Sequence, residues 1–261
     1  MDRADAEIGQ AGGAADGVAP ESAEEVQRAA ERLEGRPPLE VLGWAAGRFA
    51  PRLTLATGFG VEGCVLIDIV ARHRLPVDVF TLDTGLLFPE TYALWRRIEA
   101  RYGLAIRAVK PALSVERQAV LHGERLWQGA PDRCCAIRKV EPLVQALRGF
   151  DAWITAIRRE QTPDRAVVRV VERDPRSGLV KVNPLAGWTT DDVWSYVRSH
   201  DVPVNPLHAQ GYPSIGCWPC TSPVLPGEGE RAGRWRGSAK LECGLHSRPA
   251  ARVLSLQLQR P

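Results

Sequence analysis

Several features that mark membrane and secreted proteins are missing from this sequence of 261 residues. The longest apolar run, near Val65–Val70, is far too short to span a bilayer. Residues 1–20 have neither the basic region nor the apolar region of a signal peptide. The six cysteines do not follow the spacing of a secreted disulfide framework. We therefore expect a cytoplasmic protein with reduced thiols and no membrane partner.

Lysine is also scarce, since only four of the 34 basic residues are lysine. The net charge of +3 is too small to predict a nucleic-acid partner. Residues 1–35 hold nine acidic residues against three arginines, so the rest of the chain is the basic part. Guanidinium groups bind phosphate and sulfate in a bidentate way. The basic part therefore suits a small anionic ligand, although a general bias toward arginine explains most of the excess.

The hydrophobic pattern predicts an α/β fold, a mostly parallel twisted sheet with helices on both faces. Two amphipathic helices, Ser22–Glu34 and Leu39–Phe49, precede an alternation of strands and helices. The predicted strands are Leu53–Thr57, Val77–Leu82, Leu104–Val109 and Ala152–Ile157, and the helices are Cys64–His73, Pro89–Tyr102, Ser114–His122 and Pro131–Leu147. A hairpin of Ala166–Glu172 with Leu179–Val182 and a helix over Thr190–His200 are predicted to follow.

Two turns at strand ends have residues suited to a nucleotide. Glycines 58, 60 and 63 follow the first strand, and backbone N–H groups of such a turn at a helix start attract anions. Gly60 is therefore a candidate binding residue, although a turn without a ligand fits equally well. After the next strand, Asp83 could orient a ribose or adenine edge, and Thr84 could donate to a phosphate. An ordinary Asp-Thr-Gly turn ending at Gly85 explains the same residues.

The cysteines indicate more specific chemistry. Cys217 and Cys220 form a CxxC pair, and with Cys134 and Cys135 they offer four thiolates for an iron–sulfur cluster or a zinc ion. A thioredoxin-like redox pair is the alternative for Cys217 and Cys220, but the flanking sequence predicts neither the preceding strand nor the following helix. Cys243, close to Lys240 and His246, is either a nucleophile of lowered pKa or a buried structural thiol.

Taken in order, seven sequence blocks resemble one family, the assimilatory phosphosulfate reductases, and within it the iron–sulfur-dependent adenylyl-sulfate reductases. The blocks are 82–85 with 88–92, 134–135 with 138–143, 153–155 with 158–161, 183–185, 211–217, 231–235 and 242–246. The match is not complete. Gly63 replaces an aspartate that relatives often have, and Leu86 stands where relatives often have arginine.

The resemblance implies a fold of the adenine nucleotide α-hydrolase type with adenylyl sulfate at the strand ends. It implies that Cys134, Cys135, Cys217 and Cys220 ligate a 4Fe-4S cluster, with Lys139 between cluster and substrate. It assigns Cys243 as the nucleophile. The residues expected to bind substrate are Gly60, Asp83, Thr84, Gly85, Lys139, Arg165, Arg231, Arg234 and His246.

The activity implied is reduction of adenylyl sulfate to sulfite and AMP through a Cys243 S-sulfonate. Because only fifteen residues follow His246, an external reductant, thioredoxin or glutaredoxin, is expected. Three alternatives stay open: a preference for 3′-phosphoadenylyl sulfate, an ATP-using enzyme of the same superfamily, and a non-catalytic iron–sulfur sensor. A homo-oligomer is compatible with each of them.

The predicted organisation is one reductase domain between two tails. We expect a flexible tail over 1–20, the domain over 21–246 and a C-terminal tail over 247–261. Within the domain, the expected parts are a nucleotide-binding core at about 50–160, a cluster and arginine loop at about 201–237 and a catalytic segment at about 238–246.

Overall fold

The computed structural model describes residues 21–238 and 240–246, so both predicted tails lie outside the described residues. Within that part, the strands are β1 Leu53–Thr57, β2 Asp78–Leu82, β3 Arg107–Val109, β4 Ala152–Ile154, β5 Val171–Arg173 and β6 Val180–Val182. The helices are α1 Ala23–Leu33, α2 Pro38–Phe49, α3 Val61–Arg72, α4 Pro89–Tyr102, α5 Val115–His122, α6 Leu126–Gly129, α7 Pro131–Cys135, α8 Glu141–Ala146 and α9 Thr190–His200.

The strands form one sheet in the order β3-β2-β1-β4-β6-β5. All neighbouring pairs are parallel except the last, in which β5 runs antiparallel to β6 as the predicted hairpin requires. The chain moves outward from β1 to β3 on one side and then returns to place β4 on the other side of β1. This reversal opens a crevice at the carboxyl ends of β1 and β4, where ligands bind in open α/β sheets.

Alternate strand residues pack on opposite faces of the sheet, which confirms the prediction of helices on both sides. Leu55 and Ile154 belong to a large core built with α1 to α4 and α9. Phe80 and Trp153 face the other way and pack against Leu143 and its neighbours in and just after α8. Since both faces are covered, the central strand β1 is buried along most of its length, including Thr54 and Thr57.

Local sequence signals fix several helix ends. Ser22 caps α1, and its hydroxyl accepts a hydrogen bond from the N–H of Glu25, whose carboxylate accepts one from Ser22 N in return. Thr189 and Asp192 form the same reciprocal cap on α9. Such pairs satisfy backbone donors that the first helical turn leaves unpaired. α4 ends at Gly103, whose φ of 61° suits glycine best.

The predicted helix over Pro131–Leu147 is confirmed to within one residue at its end, but it is not α-helical throughout. The chain instead forms the short helix α7, a π-helical turn over Ala136–Val140, and then α8. The wider turn leaves Arg138 and Lys139 buried, although the two residues are adjacent in sequence. Single π turns of this kind are frequent at functional sites because they change which residues face inward.

The third helix begins three residues earlier than predicted, at Val61, with Gly60 as its cap. β3 and β4 are each shorter than predicted. None of the helices in the part of the chain that the structure describes is long and apolar enough to cross a membrane.

Candidate active site

A crevice opens at the carboxyl ends of β1 and β4, at the reversal of strand order. Its floor comes from the turns after β1 and β2, and its roof from the segment 213–217, the arginines near 231 and the terminal segment 240–246. Eight of the predicted site residues line it besides Cys217: Gly60, Thr84, Lys139, Arg165, Arg231, Arg234, Cys243 and His246.

Hydrogen bonds bring the long loop after α9 onto the turn after β2. Leu87 and Cys217 form an isolated antiparallel bridge, and the N–H of Trp218 donates to the carbonyl of Leu86 at 2.8 Å. Further along, Thr221 pairs with Arg234 in a second such bridge. These contacts place Cys217 and the arginines over the strand ends, although they are far from β2 in sequence.

Cys243 lies in the wall of the crevice, and its surroundings favour the thiolate. Burial alone would raise the pKa of the thiol, but the charge of Lys139, a backbone hydrogen bond from Leu245 and the charge of Arg234 lower it below its usual value. A thiolate of lowered pKa is the reactive form of cysteine. The geometry therefore suits a nucleophile that faces the crevice.

Positive charge is crowded around this thiol. Burial, followed by repulsion from Arg165, lowers the pKa of Arg231 to about 10. The Nε atoms of Arg231 and Arg234 are buried and have no hydrogen-bond partner among the described residues. Buried donors normally have acceptors. Repulsion between guanidinium groups and unused donors both indicate that an anion belongs in the crevice.

The position of Arg234 depends on a glycine. A side chain on Gly216 would meet Arg234 Nη2 at 2.3 Å, so the guanidinium packs directly on the backbone there. On its other side Arg234 stacks on the ring of Trp235, 4.6 Å from the centroid. Glycine and tryptophan together fix the direction in which this arginine enters the crevice.

His246 enters the crevice as a neutral ring. Burial, followed by repulsion from Arg165, Lys181 and Arg231, lowers its pKa well below the usual value. Its ring stacks on Trp153 with the centroids 5.8 Å apart. A neutral imidazole in this place offers a hydrogen bond to a ligand without adding to the crowded positive charge.

Only one of the three residues of the Asp-Thr-Gly turn after β2, Thr84, lines the crevice, although all three were predicted to bind substrate. Thr84 lines the crevice, but its hydroxyl accepts from Leu86 N and lies 3.3 Å from Cys217 Sγ. Asp83 accepts from Tyr92 at 2.6 Å and from Gly85 N at 3.1 Å. Neither Asp83 nor Gly85 is among the residues that line the crevice.

The turn after β1 owes its shape to a phenylalanine as well as to glycines. Phe59 has a φ of 57°, and its fully buried ring stacks on Trp95 at 5.6 Å. Gly63 also has a reason to lack a side chain, since a Cβ there would meet Thr57 Oγ1 at 2.7 Å. Any side chain at position 63 would therefore have to displace Thr57.

Cys217 lines the crevice and interacts electrostatically with the other three predicted ligand cysteines, Cys134, Cys135 and Cys220. Burial raises the pKa of Cys134, Cys135 and Cys220, and the charge of Cys217 acts on each of the three in the same direction. Gln118 Nε2 donates to Cys134 Sγ at 3.8 Å. Across residues 21–238 and 240–246, no three His, Cys, Asp or Glu side chains converge closely enough to hold one metal ion.

The chain matches the family model of the phosphoadenosine phosphosulfate reductase domain over residues 52–223. This match spans well over half of the chain and includes all the strands. The chain belongs to the phosphosulfate reductase family. The resemblance noted in the sequence is thereby confirmed.

Curated relatives of this reductase family extend the match. Adenosine 5′-phosphosulfate reductase 1 of Bacillus subtilis (strain 168) is 48% identical over 209 residues, which cover 80% of this chain and 90% of that protein. Phosphoadenosine 5′-phosphosulfate reductase of Gloeobacter violaceus is 48% identical over 225 residues, covering 85% and 93%. Relatives of equal similarity therefore have names for two different substrates.

Solved structures confirm the fold. The phosphoadenylyl-sulfate reductase of Candida auris, crystallised with phosphate, superposes with a TM-score of 0.71 at 35% identity, covering 80% of this chain and all of that one. FMN adenylyltransferase of Candida glabrata superposes with a TM-score of 0.52 at 16% identity, covering 79% and 69%. The second likeness shows the fold alone, and together the two support the nucleotide α-hydrolase type of sheet.

Sequence reasoning missed two buried arginines around this reductase site, Arg138 and Arg158. Arg138 is buried, and its Nε donates to the Thr84 carbonyl at 2.6 Å while its Nη1 donates to Gln118 at 3.0 Å. Arg158, also buried, pairs with Glu62 of the crevice at 2.9 Å. Residue type alone predicts arginine at the surface. The available signal was that both arginines fall within the sequence blocks that resemble the family.

Proposed function

We propose that this chain reduces adenylyl sulfate to sulfite and AMP, with thioredoxin or glutaredoxin supplying the electrons, in the cytoplasm. The observation that supports this most strongly is the position of Cys243. Its thiol lies in the same crevice as Lys139, Arg231 and Arg234. The positive charges of these three side chains, and the unpaired Nε donors of the two arginines, suit the sulfate and phosphate groups of one ligand.

The proposed first step is an attack by the Cys243 thiolate on the sulfur of the sulfate group. A bond forms between Sγ and that sulfur, and the bond from sulfur to the bridging phosphate oxygen breaks. AMP leaves with the bonding electron pair, and the protein keeps a Cys243 S-sulfonate. Negative charge grows on sulfate and phosphate oxygens during this step, so fixed cations stabilise the transition state more than the ground state.

The proposed second step needs an external dithiol. A thiolate of thioredoxin or glutaredoxin attacks Cys243 Sγ, and sulfite leaves with the electron pair of the sulfur–sulfur bond. The mixed disulfide that remains is then attacked by the second thiol of the reductant, which returns Cys243 to the thiol form. The sulfate sulfur gains two electrons, and the reductant loses two.

The four cysteines provide the donor set of a 4Fe-4S cluster, in which each of the four irons of a cubane takes one thiolate. Arg138 and Lys139 supply positive charge beside them, and Thr84 and Gln118 contact two of the sulfurs. We assign Cys134, Cys135, Cys217 and Cys220 as the ligands. When bound, such a cluster supplies an electrostatic scaffold next to Lys139.

Three other groups of this chain have proposed roles in binding. Arg165 and His246 contact the sulfate or phosphate, the former by charge and the latter as a neutral donor or acceptor. The Gly60 turn at the start of α3 offers backbone N–H groups to the nucleotide. Asp83, Thr84 and Gly85 shape the turn on the β2 side.

Turnover by the purified protein tests the proposal. With adenylyl sulfate, thioredoxin and a thioredoxin-reducing system, we expect sulfite to be released. Cys243→Ser should abolish release and leave binding of adenylyl sulfate within about threefold, while Cys64→Ser, a change at a buried core thiol, should retain activity. Undiminished release by Cys243→Ser would overturn the proposed nucleophile, and absence of turnover would favour a sensor.

A competition assay tests the choice of substrate. The four cysteines support adenylyl sulfate, because the resemblance ties the cluster to that substrate. With adenylyl sulfate and its 3′-phosphorylated form present together, we expect the first to be consumed at least about tenfold faster. Equal consumption would show a dual specificity, in keeping with the two names that the relatives have.

A further inference from the structure

The carboxylate that precedes Cys243 in sequence is held by two of the crevice arginines. Glu242 Oε1 accepts from Arg165 Nε at 2.9 Å, and Oε2 accepts from Arg165 Nη2 at 2.9 Å and from Arg231 Nη2 at 3.1 Å. The Glu242 side chain is only 10% exposed. A bidentate arginine–carboxylate pair that is shielded from water is among the stronger polar contacts in proteins.

Glu242 does not occupy the crevice itself. Arg165, Arg231 and Cys243 line the crevice, whereas Glu242 lines a second cavity together with Lys181 and Glu172 of the β5–β6 hairpin. Arg165 and His246 border both cavities. The terminal segment is therefore a wall between two spaces, and Glu242 binds the arginines from the side away from the ligand.

The segment has other anchors on both sides of Glu242, since Lys240 pairs with Asp132 and lies over the ring of Trp235, and His246 stacks on Trp153. It forms neither helix nor strand, so no ladder of backbone hydrogen bonds holds it. Leu241 is 68% exposed, and its carbonyl accepts from Arg231 Nη2 at 3.1 Å. Beyond Cys243, Leu245 packs against the smaller hydrophobic core. Next to the thiol itself, the Glu242 carboxylate joins the segment to two arginines that line the crevice.

We infer that Glu242 is a positioning residue that latches the terminal segment onto Arg165 and Arg231, so that the neighbouring Cys243 thiol stays in the crevice wall. The inference rests on the proposed function, because it assigns to the latch the task of presenting the nucleophile. It gives the two arginines a double role, since each holds the segment on one side and faces the ligand on the other.

Glu242→Gln tests the latch, because the amide keeps the shape of the side chain and removes its charge. We expect the single-turnover rate of Cys243 sulfonation to fall by about ten- to a hundredfold, since a small displacement of a nucleophile has that effect. The dissociation constant for adenylyl sulfate should stay within about threefold. Glu242→Asp should restore part of the rate. Glu228→Gln, which removes a half-buried carboxylate paired with Arg236 in the preceding loop, is the matched control and should behave as the unchanged protein.

A second measurement needs no turnover and so separates this inference from the proposed function. Iodoacetamide alkylation of Cys243, followed by peptide mass spectrometry, reports how open the segment is in the resting protein. The plateau rate at high pH is compared, where the thiolate is fully formed in every variant. We expect Glu242→Gln to raise this rate by about tenfold and Glu228→Gln to leave it unchanged.

The outcomes are distinct. Unchanged alkylation and unchanged sulfonation in Glu242→Gln would overturn the latch. An equal loss of substrate affinity and of rate would also overturn it, because Glu242 would then belong to the ligand site. If the unchanged protein releases no sulfite, the proposed function fails, while faster alkylation of Glu242→Gln would still establish the latch.

Discussion

Thr84 Oγ1 lies 3.3 Å from Cys217 Sγ and also accepts a hydrogen bond from the N–H of Leu86. Because the hydroxyl oxygen is used as an acceptor by the backbone, its own hydrogen is available to the sulfur. One side chain therefore joins the turn after β2 to a proposed cluster ligand on a loop more than a hundred residues away. The turn after β2 and Cys217 are therefore parts of one hydrogen-bonded unit.

Thr84→Val should weaken this unit and leave the fold intact. The valine keeps the shape and removes the hydrogen bond to Cys217, and the loss of such an outer contact typically lowers metal affinity by about 10–100-fold. We expect anaerobically purified Thr84→Val to lose iron to a chelator faster than the unchanged protein. Thr84→Ser, which keeps the hydroxyl, should lose iron at the original rate, and a Val variant that does the same would contradict the prediction.

Anaerobically purified protein should be brown and hold about four irons per chain, as four thiolate ligands for one cubane require. Iron and sulfide analysis with visible absorption spectroscopy measures this. Cys220→Ser should lower the iron content, whereas Cys64→Ser should not, because Cys64 lies in the hydrophobic core of α3. A colourless protein with one zinc would refute the cluster.

The sulfonation rate should depend on pH through Cys243. Its pKa is lowered from the usual value because Lys139, Leu245 N–H and Arg234 outweigh the effect of burial. The reactive thiolate is the deprotonated form, so the single-turnover rate should rise with pH and reach its plateau below the pKa of an ordinary thiol. Lys139→Met should move this rise to higher pH.

Arg236→Met is the control for that experiment, since it removes a positive charge from the exposed part of the arginine loop, where Arg236 pairs with Glu228. Its pH profile should coincide with that of the unchanged protein. A Lys139→Met profile with the original midpoint would mean that Lys139 does not stabilise the thiolate.

Asp68 should be important for stability, although it lies away from the crevice. Its fully buried carboxylate accepts from Arg72 at 2.7 Å, from Tyr102 at 2.7 Å and from Tyr196 at 2.8 Å, and so joins α3, α4 and α9. Hydrogen bonds to a charged group are each worth about 1.5–3 kcal/mol. Asp68→Asn should therefore lower the free energy of unfolding by about 3 kcal/mol, as measured in urea.

Asp201→Asn is the comparison, because Asp201 is 87% exposed in its pair with Arg101. Exposed ion pairs contribute about 0–1 kcal/mol, so this change should have little effect. Equal midpoints for the two variants would show that the buried carboxylate does not stabilise the helix contacts.

Local signals in the sequence predicted much of the fold. β1 and α4 have the predicted bounds, because an apolar strand between polar turns and a helix between Pro89 and Gly103 are marked at both ends. The interrupted helix over 131–147 was not predictable in the same way. Its apolar spacing fits a continuous α-helix, and the π turn arises from burying Arg138 and Lys139 together against distant groups.

The sequence predicted which residue types belong to the candidate site, but not how they are arranged in space. A CxxC pair and a cysteine doublet predict thiolate ligands, but the position of Cys217 beside the turn after β2 depends on the Leu87–Cys217 bridge, which no local pattern predicts. The role of Glu242 was hidden for a related reason. A glutamate beside a cysteine carries no signal until the fold brings Arg165 and Arg231 to it.

Phe59 fixes the turn after β1 by means other than glycine flexibility. Its left-handed backbone is maintained by a ring that is fully enclosed and stacked on Trp95. The hydrophobic interior thus determines the form of the turn that is proposed to bind the nucleotide, independently of any ligand. A nucleotide that docks there meets a rigid cradle, and little of its binding free energy is spent on ordering the protein.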